Sequence, residues 1–278
     1  MIQDILGHKY NLAYKNIKPT DDSVVLCYKK GYVCLNSDKS FIKYKDLLNE
    51  KVVFGFMVDD ISYFISLDDV GFTTFPINLF REIEPKYLGF IIITGYHLYN
   101  YYIQNKYCSR CGKLIRPSVK IRSLKCTCGN EVFPTIAPAV IIGLLNKDHT
   151  KIMLTKYRIG YSNYALVAGY TEIGETFEDT VRREVMEEVG LKVNNVKYYK
   201  SQPWGLSGSV LAGFWADISD SEDTPTVDLE ELKLAKWVTR DEIDVQDDNV
   251  SLTREMISYF KSGKKIDLWW DLIRCLPI

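Results

Sequence analysis

The sequence predicts an α+β or mixed α/β protein, and three observations carry that prediction. Strand-like runs stand on both sides of helix-like ones, with hairpin signals among them. Residues 139–145 form an unbroken apolar run of the kind a buried strand requires. Phe177, Val181, Val185 and Val189 recur every four residues, the apolar stripe of a helix packed on one face. The length of 278 residues fits about two domains, at roughly 100–200 residues each. A composition of 46% hydrophobic and 26% charged residues excludes disorder, collagen-like repeats and coiled coil. With 35 Lys+Arg against 36 Asp+Glu the net charge is −1, so the surface as a whole is not built to grip nucleic acid or an anionic membrane.

The elements follow in chain order. Residues 24–28 and 32–35 flank Lys29-Lys30-Gly31. With Lys30-Gly31 as a two-residue turn, Cys27 and Cys34 stand opposite one another. That makes them a redox pair or a packing pair, and a reducing compartment favours packing. Residues 52–57 and 61–67 pair around Asp59-Asp60. The uncharged stretch 87–105 is long enough to raise a membrane span. Its His97, Asn100, Gln104, two glycines and five tyrosines instead predict a buried helix and no membrane contact. Residues 139–145 and 151–156 read as a hairpin across 146–150. Residues 165–168 lead to a loop at 169–175 and then a helix. Strands are expected at 193–199, 210–218 and 234–238, and a helix at 252–260. The apolar tail 268–273 needs something to cover it.

Cysteine supplies the first chemistry. Met1-Ile2-Gln3-Asp4 lacks the basic, apolar opening of a secretory signal, so a reducing, cytoplasmic setting is expected. Clustered cysteines there read as metal ligands before disulfides. Cys108-Ser-Arg-Cys111 precedes Cys126-Thr-Cys128 by fourteen intervening residues. Two short loops giving two thiolates each suit tetrahedral zinc, with no position left open for water, so the metal is structural. The second half is Cys-x-Cys where Cys-x-x-Cys is commoner. Lys113, Arg116, Lys120, Arg122 and Lys125 make this zinc ribbon locally basic, which keeps nucleic-acid binding open.

The segment 169–191 holds seven acids and two arginines, a local net of −5. Thr176-x-x-Asp179 reads as a capping box and Gly190 as a helix stop. Glu184, Glu187 and Glu188 stand at i, i+3 and i+4, neighbours on one helix face. Three such carboxylates repel unless a cation intervenes, and a hard divalent ion such as Mg²⁺ resolves the conflict. The alternative is a solvated acidic face. Arg183, placed to pair with Glu175, and the glycines at both ends favour a built loop over a helix face.

The segment matches the Nudix box, Gly-x5-Glu-x7-Arg-Glu-U-x-Glu-Glu-x-Gly-U with U aliphatic, at all nine defined positions from Gly169 to Leu191. Ser201-Gln202-Pro203-Trp204-Gly205-Leu206-Ser207-Gly208-Ser209 is similar to the Ser-Gln-Pro-Trp-Pro-Phe-Pro-x-Ser signature of the NADH pyrophosphatase family of Nudix hydrolases. The zinc ribbon ahead of the box and the entry segment Phe133-Pro134-x-x-Ala-Pro138 also resemble that family. The resemblance implies a Nudix fold, an α/β/α sandwich with a mixed sheet. The expected division is a β-rich N-terminal domain at 1–104, the ribbon at 105–134 and the Nudix domain at 135–278.

The resemblance further implies that Glu184, Glu188, Glu231 and the Ala168 carbonyl bind catalytic Mg²⁺ or Mn²⁺. Glu187 is then a ligand or the base that activates water, and Glu175 and Arg183 brace the loop. Phe133, Gln202, Pro203, Trp204, Gly205, Leu206, Ser207, Gly208, Ser209 and Thr253 line the dinucleotide site. Gly205-Leu206-Ser207 departs from Pro-Phe-Pro and removes an aromatic ring. Stacking of a base on such a ring is worth about 1–3 kcal/mol. Trp204 and Trp215 remain as stacking platforms or as core. The implied activity is hydrolysis of NADH or NAD⁺ to the nicotinamide mononucleotide and AMP. RNA carrying an NAD cap is a second substrate that the resemblance admits, and ADP-ribose an alternative. A nucleotide sensor without catalysis is the competing class, and the intact carboxylates argue against it. The resemblance and the apolar tail favour a homodimer.

Overall fold

The computed structural model describes residues 1–47, 51–160, 163–219, 224–245 and 248–266. The chain divides into two compact units, one of Ile2–Ile136 with Trp204–Gly208, the other of Met1, Ala137–Pro203 and Ser209 onward. The apolar tail 268–273 and Cys275 lie outside the described residues.

The N-terminal unit is built on β1 (Tyr10–Asn11), β2 (Val24–Lys29), β3 (Tyr32–Leu35), β4 (Ile42–Lys43), β5 (Val52–Val58), β6 (Ile61–Ser66) and β7 (Thr73–Pro76). They form one sheet in the order β1-β5-β6-β2-β3-β7, with β4 against β2. The turn at Gly31, φ +78°, sets Cys27 opposite Cys34. Both side chains are buried and packed with Val25, Ile42, Phe54 and Phe64, outside any disulfide. Helix α1 (Tyr87–Gln104) meets β2 at Gly95 and the Phe80 segment at Gly89. A Cβ at Gly95 would sit 2.3 Å from the Tyr28 hydroxyl, and one at Gly89 would sit 2.2 Å from the Phe80 carbonyl. Tyr28 donates to the Ile92 carbonyl at 2.7 Å. Among the described residues no helix is long and apolar enough to cross a membrane.

After α1, the short strands β8 (Arg116–Pro117), β9 (Leu124–Lys125) and β10 (Glu131–Val132) make a three-stranded sheet in the order β10-β9-β8. Its apolar backing is Ile115 and Leu124 against Tyr101 and Tyr102, with Cys108 and Cys126 in the same cluster.

The second unit contains β11 (Ala137–Leu145), β12 (Lys151–Tyr157), β13 (Val167–Tyr170), α2 (Phe177–Val189), β14 (Val193–Trp204), β15 (Ser209–Ile218), β16 (Leu232–Thr239) and α3 (Leu252–Lys261). The sheet runs β14-β15-β11-β12-β16, with β13 also on β11. It is mixed, because β11 pairs β15 in parallel and β13 in antiparallel fashion. The apolar run of β11 serves both faces by its period of two. Val140, Ile142 and Leu144 pack with Val181, Val185 and Val189 of α2, whereas Ile141 and Leu145 pack with Leu252, Met256, Ile257 and Phe260 of α3. That is an α/β/α sandwich.

The expected elements form, with three differences in extent. The β11–β12 hairpin is paired at Leu145↔Ile152 alone, and the long partner of β12 is β16. The reason is competition for one edge, because β13 hydrogen-bonds Ala139–Ile142 of β11. The loop expected from residue 169 begins two residues later, since β13 continues through Gly169 and Tyr170. The strand expected at 193–199 continues to Trp204 and carries Gln202 and Pro203 with it.

Candidate active site

Helix α2 starts where the Thr176 side chain accepts the Asp179 N–H at 3.1 Å. The Asp179 carboxylate accepts the Thr176 hydroxyl at 2.7 Å. The helix stops at Gly190, in the left-handed conformation at φ 69°. A Cβ there would also lie 2.9 Å from Thr226. Between these ends the valine stripe turns Glu184 and Glu188 toward β13. Glu184 is 8% exposed and Glu188 2%, while the Glu187 side chain is 58% exposed. Two of the three acids therefore leave solvent, which rules out a purely solvated face.

Gly169 permits that approach. A Cβ at this position would meet the Glu184 carboxyl at 2.0 Å. Beside it, both oxygens of Glu188 are buried without a hydrogen-bond partner. Burial first, then the Glu184 charge, pushes the Glu188 carboxyl up to about 8, against a lowering from the Ala168 backbone. Burial likewise raises Glu184, against the lowering by Arg183. Buried, unpartnered carboxylate oxygens in a cradle that a side chain would fill are what an oxygen-loving divalent cation requires.

Arg183 is fully committed to the protein. Its Nε and Nη2 donate to the Glu175 carboxylate at 2.6 and 2.9 Å. Nη1 donates to Glu184 at 2.7 Å and Glu187 at 2.9 Å, and Nη2 also to the Tyr170 carbonyl at 2.9 Å. Glu175 further accepts the Glu172 N–H and the Thr180 hydroxyl, each at 3.0 Å. Hydrogen bonds from Arg183 and then from the Glu172 N–H hold its pKa down to about 2.

A third segment closes on the same helix. Thr226 and Asp228 donate their N–H groups to the Val189 and Glu188 carbonyls at 2.9 and 3.0 Å. Glu231 follows, close enough for its charge to raise both Glu184 and Glu188.

The four cysteines converge. The ligand sulfurs of Cys108, Cys111, Cys126 and Cys128 all lie within 4.8 Å of one another. Cys108 and Cys128 are 3.7 Å apart, and Cys111 and Cys126 3.4 Å. A zinc–sulfur distance of about 2.3 Å implies tetrahedron edges of about 3.8 Å. Gly112 and Gly129, at φ +73° and +87°, turn the chain after each pair, so the shorter Cys-x-Cys half still reaches the cluster.

Residues 135–260 match the NUDIX domain family model. The chain carries a Nudix domain. An NAD-capped RNA hydrolase NudC from Enterobacter sp. is 35% identical over 164 residues, 59% of this chain and 62% of that protein. Its namesake from Haemophilus influenzae is 33% identical over 157 residues, 55% and 58% of the two chains. The one from Shigella dysenteriae is 36% identical over 167 residues, 59% and 63%. The chain thus spans about three fifths of the length of the curated relatives it matches. A NUDIX hydrolase structure from Nitrosomonas europaea aligns at TM-score 0.49 and 21% identity, over 57% of this chain and 92% of that one.

Within the Nudix domain unit, Gln202 is buried and clamps α3. Its amide donates to the Val250 carbonyl and accepts the Leu252 N–H, both at 2.7 Å. Ser209 is buried with its hydroxyl 3.3 Å from that of Tyr170. Thr253 is half-buried in the first turn of α3, and Pro203 is exposed. Trp215 is core: a Cβ on Gly143 would meet its ring at 2.3 Å, and Tyr199 and Tyr259 pack beside it. The platform reading of Trp215 is therefore corrected.

Phe133 and the 204–208 turn belong to the N-terminal unit. Phe133 is 54% exposed. Trp204 meets Phe80 edge-on at 5.7 Å and lies under the Arg81 guanidinium at 5.1 Å. Gly205 replaces a proline for a steric reason, since its Cβ would lie 2.3 Å from the Ile93 carbonyl of α1. Gly208, at φ +70°, turns beside His97, while Leu206 is half-buried and Ser207 exposed. In the ribbon, Arg122 binds the Leu12, Phe54 and Gly55 carbonyls and Lys125 pairs with Glu131, leaving Lys113, Arg116 and Lys120 exposed.

Residues that the sequence did not flag are Tyr157 and Arg158. Tyr157 is raised by burial and then by the charges of Glu188, Glu231 and Glu184. No local pattern announces this, because β12 reaches Glu231 only through long-range pairing with β16.

Proposed function

We propose that the chain is a divalent-metal-dependent diphosphatase that splits NADH or NAD⁺ into the nicotinamide mononucleotide and AMP and removes NAD caps from RNA. One observation carries the reading: an intact Nudix box whose helix buries Glu184 and Glu188 beside Gly169, with both Glu188 oxygens unpartnered. The Ser201–Ser209 signature and relatives named NAD-capped RNA hydrolases support the dinucleotide as substrate. In this assignment residues 135–278 do the chemistry, 105–134 hold structural zinc, and 1–104 form the β-rich domain.

Glu184, Glu188, Glu231 and the Ala168 carbonyl would hold Mg²⁺ or Mn²⁺. The ion supplies charge neutralisation on the diphosphate oxygens and a more acidic water. The chain's own residues supply position. Arg183 fixes Glu175, Glu184 and Glu187 as one unit, so the acids keep their spacing as charge develops. Glu187 accepts Arg183 through one oxygen and its side chain is 58% exposed, so the carboxylate is accessible to take the proton of the attacking water. Cys108, Cys111, Cys126 and Cys128 would hold zinc with all four positions filled.

Phosphorus NMR on NADH, NAD⁺, ADP-ribose, a dinucleoside tetraphosphate and NAD-capped RNA, with and without Mg²⁺, tests the reading. The expected result is metal-dependent release of AMP and the nicotinamide mononucleotide from NADH or NAD⁺. No cleavage anywhere in that panel would sink it. Salt that weakens capped-RNA cleavage while sparing NADH would place the RNA on exposed cations such as Lys113, Arg116 and Lys120. The family resemblance also supports a homodimer, which analytical ultracentrifugation reads as twice the chain mass.

A further inference from the structure

We propose that Arg158 is a substrate-binding clamp that takes the non-bridging oxygens of the diphosphate at the rim of the carboxylate face. The inference rests on reading that face as a diphosphatase site. Arg158 follows β12 directly, just past the irregularity between Lys156 and Tyr157 in the pairing with β16. Its backbone N–H donates to the Glu231 carbonyl at 2.9 Å, and its Nη1 donates to the Leu229 carbonyl at 3.1 Å. The residue is thus tied at two points to the segment that carries Glu231. Its neighbour Tyr157 stands within the field of Glu184, Glu188 and Glu231, which places this end of β12 at the acids.

Arg158 differs from Arg183 in what remains available. Arg183 has Glu175, Glu184, Glu187 and the Tyr170 carbonyl as acceptors and presents no edge to a ligand. Arg158 is exposed, makes no ion pair among the described residues, and is anchored by a neutral carbonyl through one nitrogen. Nε and Nη2 keep the planar fork that matches phosphate oxygens in bidentate geometry. A substrate anion approaching this acidic face meets like charge, and a fixed cation at the rim offsets it. The competing role is a strap, in which Arg158 serves only to hold the Leu229–Glu231 segment in place.

The two roles separate in the full-length protein carrying Arg158→Ala or Arg158→Lys. NADH kinetics give KM and kcat, calorimetry with AMP in Mg²⁺ gives product affinity, and thermal melting reports the fold. A clamp predicts that Arg158→Ala raises KM and the AMP Kd together by about tenfold to a hundredfold, as for loss of charge-assisted hydrogen bonds. The change in kcat should be smaller, and Arg158→Lys should recover part of the affinity. A wild-type protein that binds no AMP, or an Arg158→Ala protein that binds it as tightly as wild type, overturns the clamp. If wild type cleaves no dinucleotide yet loses AMP binding on Arg158→Ala, the clamp stands and the diphosphatase reading falls.

Discussion

At the scale of single residues, the site is a conflict between charge and burial. Glu188 is held neutral by its surroundings when no metal is bound, with a pKa of about 8 against an ordinary 4.5. Between those values the folded metal-free protein holds a proton that the unfolded chain has lost. Its contribution to stability therefore falls as pH rises through that window, by up to about 1.4 kcal/mol per pH unit. Glu188→Gln removes this penalty. The variant should melt higher than wild type at pH 8 without metal, while kcat drops at least a hundredfold with Mg²⁺. Equal melting in chelator would show that Glu188 is not strained. Glu175 has the opposite sign: the Arg183 pair stabilises it above its ordinary range and is lost as pH falls toward about 2. Gly169→Ala tests the cradle. Its methyl must displace the Glu184 carboxyl, so activity should fall more than tenfold while the melting temperature changes little. Near-full activity would contradict the close approach.

At the scale of elements, helix α2 is positioned by its ends and by its stripe. Thr176 caps the first turn, and Thr176→Ala should cost about 1 kcal/mol, read as a fall of a few degrees in the melting temperature. An unchanged melting temperature would show that the Asp179 contact is dispensable. Gly190 both stops the helix and admits Thr226, which brings the Glu231 segment onto the end of α2. Helix α2 and the valine stripe were legible in sequence because a period near 3.6, a cap and a glycine stop are local signals. The pairing of β11 with β12 is confined to the turn end because strand partners compete for an edge, and β13 lies twenty-two residues beyond Leu145 in sequence. The replacement of a proline by Gly205 was visible in sequence, but its cause was not: the carbonyl of Ile93 lies more than a hundred residues away.

At the scale of the whole molecule, two compact units carry two candidate metal sites of different ligand chemistry, thiolate in one and carboxylate in the other. The cysteine segment has three strands of two residues each and one small apolar cluster, too little core to persist alone. Zinc removal by a strong chelator should release about one equivalent per chain. Hydrogen exchange should then rise across residues 106–132 and stay low in β11, β15 and α2. Uniform protection with and without chelator would mean that the cysteines do not bind structural metal. The net charge of −1 conceals this arrangement, since a basic ribbon offsets an acidic helix.

The sequence by itself determined the chemistry on offer. Nine box positions, four cysteines and a valine stripe are patterns of residue type and spacing, and the local backbone turns such spacing into shared faces. Tertiary structure decided which of those groups meet and in what state. It buried Glu184 and Glu188 but left Glu187 in water, placed Trp215 in the core, turned Gln202 into a clamp on α3, and held Arg158 beside Glu231. Each of those outcomes depends on contacts between elements distant in sequence, where burial sets the cost of a charge and one strand edge accepts one partner at a time.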